Sequence, residues 1–264
     1  MASLSTPEEK DAVQFNLKQI LEKIRLTYEN SDSAVRHSSL PKLVAVSKTK
    51  PVDLVRAASE ADTNNEVVFG ENYVQALLER EEDEWVKTQS KERLKFHLIG
   101  RLQSGKVASV AKNCHHLSCV ETVDSEKLAS KLDHAWATHR LQEDGRLEVF
   151  VQVNVSSEGQ KNGLSMEEAP KLAEFVETNC PALDFCGFMT VGSFELSTSA
   201  SGDSNPDFSR LYEVRQKYAA SKGVEASKYG LSMGMTADFE QAIRQGASVV
   251  RVGSAIFGPR LAKV

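Results

Sequence analysis

The feature that most constrains this chain is a rhythm. Eight short apolar, β-branched runs, at residues 43–47, 66–70, 95–100, 116–121, 147–155, 183–191, 229–233 and 249–253, alternate with longer stretches of helical period. Most of the runs are apolar on both faces, the pattern of parallel strands covered by helices. Segments 52–61, 72–85, 104–113, 125–141, 165–179, 207–222 and 236–245 read as those helices. Residues 7–29 read as an extra helix ahead of the first strand. Pro51 suits a helix start, and Thr236 reads as an N-cap with Gly246 just past that helix's end. Eight such units predict an α/β fold, a closed (β/α)8 TIM barrel preceded by a helical extension over residues 1–40. An open doubly wound sheet is the rival, but no G-x-G-x-x-G follows the first strand. The chain of 264 residues is the usual size of one barrel, so 1–264 is read as a single domain.

Composition removes other classes. With 32 Lys+Arg against 37 Asp+Glu the net charge is −5, which leaves no electrostatic footprint for nucleic acid. No apolar run is long enough for a membrane helix. The N-terminus lacks a signal pattern and is too acidic for a transit peptide, so the chain is read as cytoplasmic, with a mitochondrial share left open. Cys114, Cys119, Cys180 and Cys186 form no C-x-x-C pair and read as reduced, buried thiols. Neither Cys114 with His115 and His116 nor the pair His134 and His139 has metal-ligand spacing, so no metal is expected. The acidic run 79–84 reads as a solvated helix face, and the polar segment 193–206 as a surface loop.

Barrel sites sit at the C-terminal strand ends, often with a phosphate subsite after strands seven and eight. Strand seven ends in Ser232-Met233-Gly234 and strand eight in Arg251-Val252-Gly253-Ser254. Each alone is ordinary loop chemistry. Together, hydroxyls, close-approach glycines and a helix N-terminus form a cradle for a phosphate monoester. Lys48, two residues beyond Val46 in strand one, shares a face with Val44 and Val46, and in a closed barrel strand one neighbours strand eight. Lys50 is the competing lysine. An amine beside a phosphate cradle fits a Schiff base with pyridoxal 5′-phosphate (PLP), or a sugar-phosphate aldolase. Arg251 would keep a pyridine nitrogen unprotonated, which suits PLP storage or racemisation better than transamination. Asn72 reaches the pocket or caps a helix. Met189 packs on a cofactor ring or on the core. His97 reads as a satisfied core histidine, and Gln152 and Asn154 as polar residues in a wet mouth.

The segments Val44–Pro51, Phe69–Gln75, His97–Gly100, Gly187–Gly192, Leu231–Met235 and Val250–Gly258 together resemble the PLP homeostasis protein family (YggS/PROSC type). The resemblance covers the chain from about Leu43 to Arg260, and Met189–Phe194 is similar to eukaryotic members. It implies a barrel like the N-terminal domain of alanine racemase, with PLP as a Schiff base on Lys48. It also implies phosphate held by Ser232, Gly234, Gly253 and Ser254, Arg251 facing the pyridine nitrogen, and no catalytic turnover. PLP-dependent apoenzymes are the candidate recipients, and with no clear dimer patch a monomer is expected. Phe96, Leu98 and Gly105 depart from the family's usual Trp, Phe and Asn, and Gly105 puts a binding role for its loop in doubt. A PLP-dependent racemase is the alternative. It needs a second base, which in alanine racemase is a Tyr of a C-terminal domain, and the chain ends soon after strand eight. A Schiff-base aldolase would place its lysine on strand six, where Met189 stands.

Overall fold

The computed structural model describes residues 5–64, 66–156, 162–192 and 204–259. Its centre is a closed sheet of eight parallel strands in sequential order, with the last paired to the first. The strands are β1 Lys42–Val46, β2 Val67–Glu71, β3 Phe96–Leu98, β4 Leu117–Val123, β5 Leu147–Gln152, β6 Leu183–Met189, β7 Gly230–Ser232 and β8 Val249–Val252. The eight expected runs are these eight strands, mostly shortened at their ends.

Period-two alternation sorts their side chains into two layers. Val44, Val46, Val68, Cys119, Phe150, Met189 and Val249 form a cluster drawn from strands alone, which fills the barrel. Their neighbours Leu43, Ala45, Phe69, Val149, Val151, Val250 and Val252 face outward into the larger core under the helices.

The helices are α1 Pro7–Glu29, α2 Val52–Ala61, α3 Val74–Glu81, α4 Glu84–Lys87, α5 Val107–Asn113, α6 Glu126–His139, α7 Leu141–Asp144, α8 Ala169–Asn179, α9 Pro206–Lys222, α10 Phe239–Arg244 and α11 Ser254–Phe257. Helix α1 starts at a capping box: Thr6 accepts from the Glu9 N–H while Glu9 accepts from the Thr6 N–H. Its buried stripe of Val13, Leu17, Ile20 and Ile24 packs against α2, α10 and α11, the helices flanking β1 and β8. The extra helix therefore covers the seam where the barrel closes.

Four local expectations are corrected. Segment 72–85 is two helices, because the Asp83 side chain accepts from the Trp85 and Val86 N–H groups and starts a new one. Segment 79–84 is not a solvated face: Arg80 and Glu81 are buried, each paired to a partner across the fold. The helix after β7 begins at Phe239, so Thr236 is not its N-cap. The helix expected at 165 begins at Ala169, after a turn in which Ser165 and Glu168 exchange hydrogen bonds. Most of the loop expected at 193–206 lies outside the described residues. No helix among the described residues is long and apolar enough to cross a membrane.

Candidate functional site

The inward residues of the upper strands carry the polar groups. Arg251 of β8 is buried, donating from Nη1 to Ser232 Oγ at 2.5 Å and from Nη2 to the Thr190 carbonyl at 2.7 Å. Ser232 Oγ in turn donates to Glu121 Oε2 at 2.7 Å, and Glu121 Oε1 lies 2.7 Å from His97 Nδ1. Glu121 Oε2 is also 3.8 Å from Arg251 Nη1. Burial works against the Glu121 charge, but hydrogen bonds from His97 and Ser232 and the Arg251 charge outweigh it and hold its pKa below the ordinary carboxylate value. An ionised Glu121 makes His97 Nδ1 the proton donor. His97 Nε2 is buried with no hydrogen-bond partner among the described residues, so this histidine is only half satisfied, not the fully satisfied core residue expected. Burial pulls the Arg251 pKa down against the opposing carboxylates of Glu121 and Asp238. It stays cationic all the same. A fixed guanidinium is thus held near the top of the barrel by three elements.

Beside it, register pairs Val44 with Arg251 and Ala45 with Val252. Strand β1 ends at Val46, and Lys48 stands two residues on, half-buried in a turn closed by the Lys50 N–H on the Ser47 carbonyl. Thr49 holds a left-handed φ of 64°, uncommon for a residue with a Cβ. A buried pair fastens this turn. Arg80 donates from Nε to Glu71 Oε1 at 2.5 Å, and from Nη2 to the carbonyls of Ser47 and Lys50 at 2.8 and 2.9 Å. Ser47 Oγ donates to the same Glu71 oxygen at 2.8 Å. Lys50 is turned away, its Nζ on the Pro259 carbonyl at 2.9 Å.

The loops after β7 and β8 meet through Thr236, whose Oγ1 accepts from the Gly253 N–H at 3.2 Å. Gly253 is close to β1: a Cβ there would lie 3.3 Å from the Val46 carbonyl oxygen. Gly234 has φ +90°, and a Cβ on it would lie 2.5 Å from that of Ala242, so helix packing as well as backbone conformation demands glycine. Ser254 is exposed at the start of α11.

Lys48 follows β1, and Arg251, Gly253 and Ser254 lie on or just after its paired strand β8, so the four stand at adjacent strand ends, with Gly234 after β7. Ser232 is buried with its hydroxyl engaged on both sides by Glu121 and Arg251, as a link in the network. Met189 is 1% exposed and packs in the barrel interior. Asn72 caps no helix; its Oδ1 is buried with no hydrogen-bond partner among the described residues. Sequence reasoning passed over Glu121, Thr190, Glu71 and Arg80. An acid closing an otherwise apolar run, as Glu71 and Glu121 do, is the signal that could have found two of them.

The family described as "Alanine racemase, N-terminal domain" matches residues 21–260. A pyridoxal phosphate homeostasis protein of Caenorhabditis elegans is 44% identical over 250 residues, 95% of this chain and 97% of that one. A crystal structure of an unknown protein from Bifidobacterium adolescentis superposes with a TM-score of 0.75 at 28% identity, covering 97% of this chain and 98% of that one. The structure of PipY of Synechococcus elongatus PCC7942 with PLP bound gives a TM-score of 0.64 at 26% identity, over 90% of this chain and all of that one. With residues 21–260 matched and this identity sustained over almost the whole chain, the protein belongs to the pyridoxal phosphate homeostasis family of alanine racemase N-terminal-type barrels.

Proposed function

We propose that this protein binds PLP at the β8–β1 junction and takes part in intracellular PLP homeostasis without catalytic turnover. The observation that carries the reading is the buried Arg251, fixed by Ser232 and Thr190 on the strand paired with the one that leads to Lys48. The donor set fits the group. Lys48 offers an amine, Ser254 and Thr236 hydroxyls, and Gly253, its N–H on Thr236, a side-chain-free surface beside them; Asn72 adds a buried oxygen with no partner among the described residues. PLP supplies an aldehyde that condenses reversibly with a lysine amine, and a pyridine ring whose electron demand depends on its protonation.

The chain's own residues set the outcome. Lys48 would hold the aldehyde end, with Gly234, Gly253, Ser254 and the Ser232 strand end around the phosphate. Arg251 has no acidic proton to give at neutral pH, so a ring nitrogen held against it would stay unprotonated. That weakens carbanion chemistry and suits holding PLP, or racemisation, better than transamination; between those two a racemase assay decides. Storage in a monomer, release to PLP-dependent apoenzymes and a cytoplasmic location complete the reading; the free, unreactive thiols are consistent with a reducing compartment.

The test is spectroscopic. Purified protein given PLP is expected to be yellow, and Lys48→Ala is expected to lose the visible band. Borohydride trapping and peptide mapping should place the pyridoxyl group on Lys48; a label on Lys50 would overturn the assignment. Racemase turnover on common amino acids at roughly 1–1000 per second would overturn the claim of no turnover.

A further inference from the structure

At the opposite end of the barrel lies a second polar cavity of about 450 Å³. Its walls come from residues 33–38, which lead into β1, from the C-terminal half of α9, and from residues 224–227, which lead into β7. All of these approach N-terminal strand ends, away from Lys48. One side chain in the wall is out of place by ordinary rules. Arg215 is 3% exposed, yet its Nε and Nη1 atoms have no hydrogen-bond partner and it forms no ion pair among the described residues. Its guanidinium lies 4.6 Å over the ring of Tyr212. A buried cation without a counter-charge is costly, and fold stability alone gives no reason to keep one.

We propose that this cavity is a binding site for the phosphate group of a small phosphomonoester, with Arg215 as its counter-charge. The guanidinium fork matches phosphate oxygens, and a doubly charged anion is the strongest available partner. Arg36, its Nη1 donating to the Tyr28 carbonyl at 2.9 Å, adds a second positive charge to the wall, and Glu225 an exposed carboxylate at the rim. Burial keeps the His37 imidazole pKa below its ordinary value, and its Nδ1 accepts from the Ser39 N–H at 3.3 Å, so it lines the cavity as a neutral group. The volume exceeds what bare phosphate fills, and Val35 and Ala219 offer apolar contact to an organic body. The site is separate from the barrel mouth.

Thermal unfolding of the protein, reduced with borohydride in the presence of PLP so that the mouth is filled, provides the test. Inorganic phosphate and glycerol 3-phosphate are expected to raise Tm, the ester at lower concentration, while acetate is not. Arg215→Met is expected to raise Tm without anion, because it removes an uncompensated buried charge, and to abolish the response. Ala220→Glu, which puts a carboxylate on the cavity wall where it repels an anion, should weaken phosphate binding at least about tenfold by calorimetry. No response in the native protein, an equal response in Arg215→Met, or acetate acting as strongly as phosphate would each overturn the proposal. If Arg215→Met does not fold, undiminished phosphate binding by Ala220→Glu overturns it. The readout is the dependence on Arg215, so it stands or fails whether or not the mouth takes PLP.

Discussion

Arg80 does two jobs with one guanidinium: it neutralises the buried Glu71 carboxylate and ties down the carbonyls on either side of Lys48. Arg80→Ala leaves Glu71 uncompensated at 0% exposure, and a loss of about 3–5 kcal/mol is expected by urea unfolding. PLP affinity should fall in the same variant, because the turn that aims Lys48 is no longer held. Arg80→Lys should recover part of the stability but less of the binding, since an ammonium cannot span Glu71 and two carbonyls in one plane. His116 presents a different case. Burial opposes its protonation, but the Glu81 carboxylate at 2.8 Å and the Gln89 carbonyl at 3.1 Å outweigh that and raise its pKa above 6.5. A raised folded-state pKa gives stability that is fully present below about pH 6.5 and fades as pH climbs through the folded value. Unfolding midpoints taken from pH 5.5 to 8.5 should therefore show a decline in the wild type that His116→Gln lacks.

Among the elements, α1 is the one whose removal the barrel would feel along its seam. Leu17 is wholly buried between that helix and its neighbours, and Leu17→Ala should cost about 2–5 kcal/mol by denaturant unfolding. Midpoint and slope together would show whether α1 unfolds with the barrel. The eight strands were legible because burial on both faces writes an apolar run directly into the sequence. Helix boundaries were less so: the break at Asp83 depends on a side-chain cap, and the late start at Phe239 follows a turn in which the Asp238 carboxylate accepts from the Met235 N–H, and local periodicity records neither. Of the site, Lys48, Arg251 and Gly253 could be read from position at strand ends, since closure makes β1 and β8 neighbours. The polar chain from His97 through Glu121 to Ser232 could not. Its members belong to β3, β4 and β7, and only the curvature of the closed sheet turns them toward one another. The same reason hid Arg80, which looks like part of a solvated charge run until tertiary packing buries it.

For the molecule as a whole, burial decides how its thiols behave. It pushes Cys186 up to about 12 and Cys180 to about 11, and raises Cys114 and Cys119 as well, in each case with nearby carboxylates adding to the effect. Thiolate is the reactive form, so native protein should react slowly with Ellman's reagent at pH 8, and all four thiols promptly once urea unfolds it. Fast labelling of Cys119 in the folded state would contradict the packing described. The closure of β8 on β1 has a last consequence, in synthesis. Lys48 leaves the ribosome about two hundred residues before Arg251, and the two meet only when the final strand docks. A nascent or truncated chain holds the amine without the guanidinium. Tight retention of PLP would then certify a finished molecule, because a partly made one would offer the aldehyde an amine but neither the guanidinium nor the strand-eight loop to keep it there.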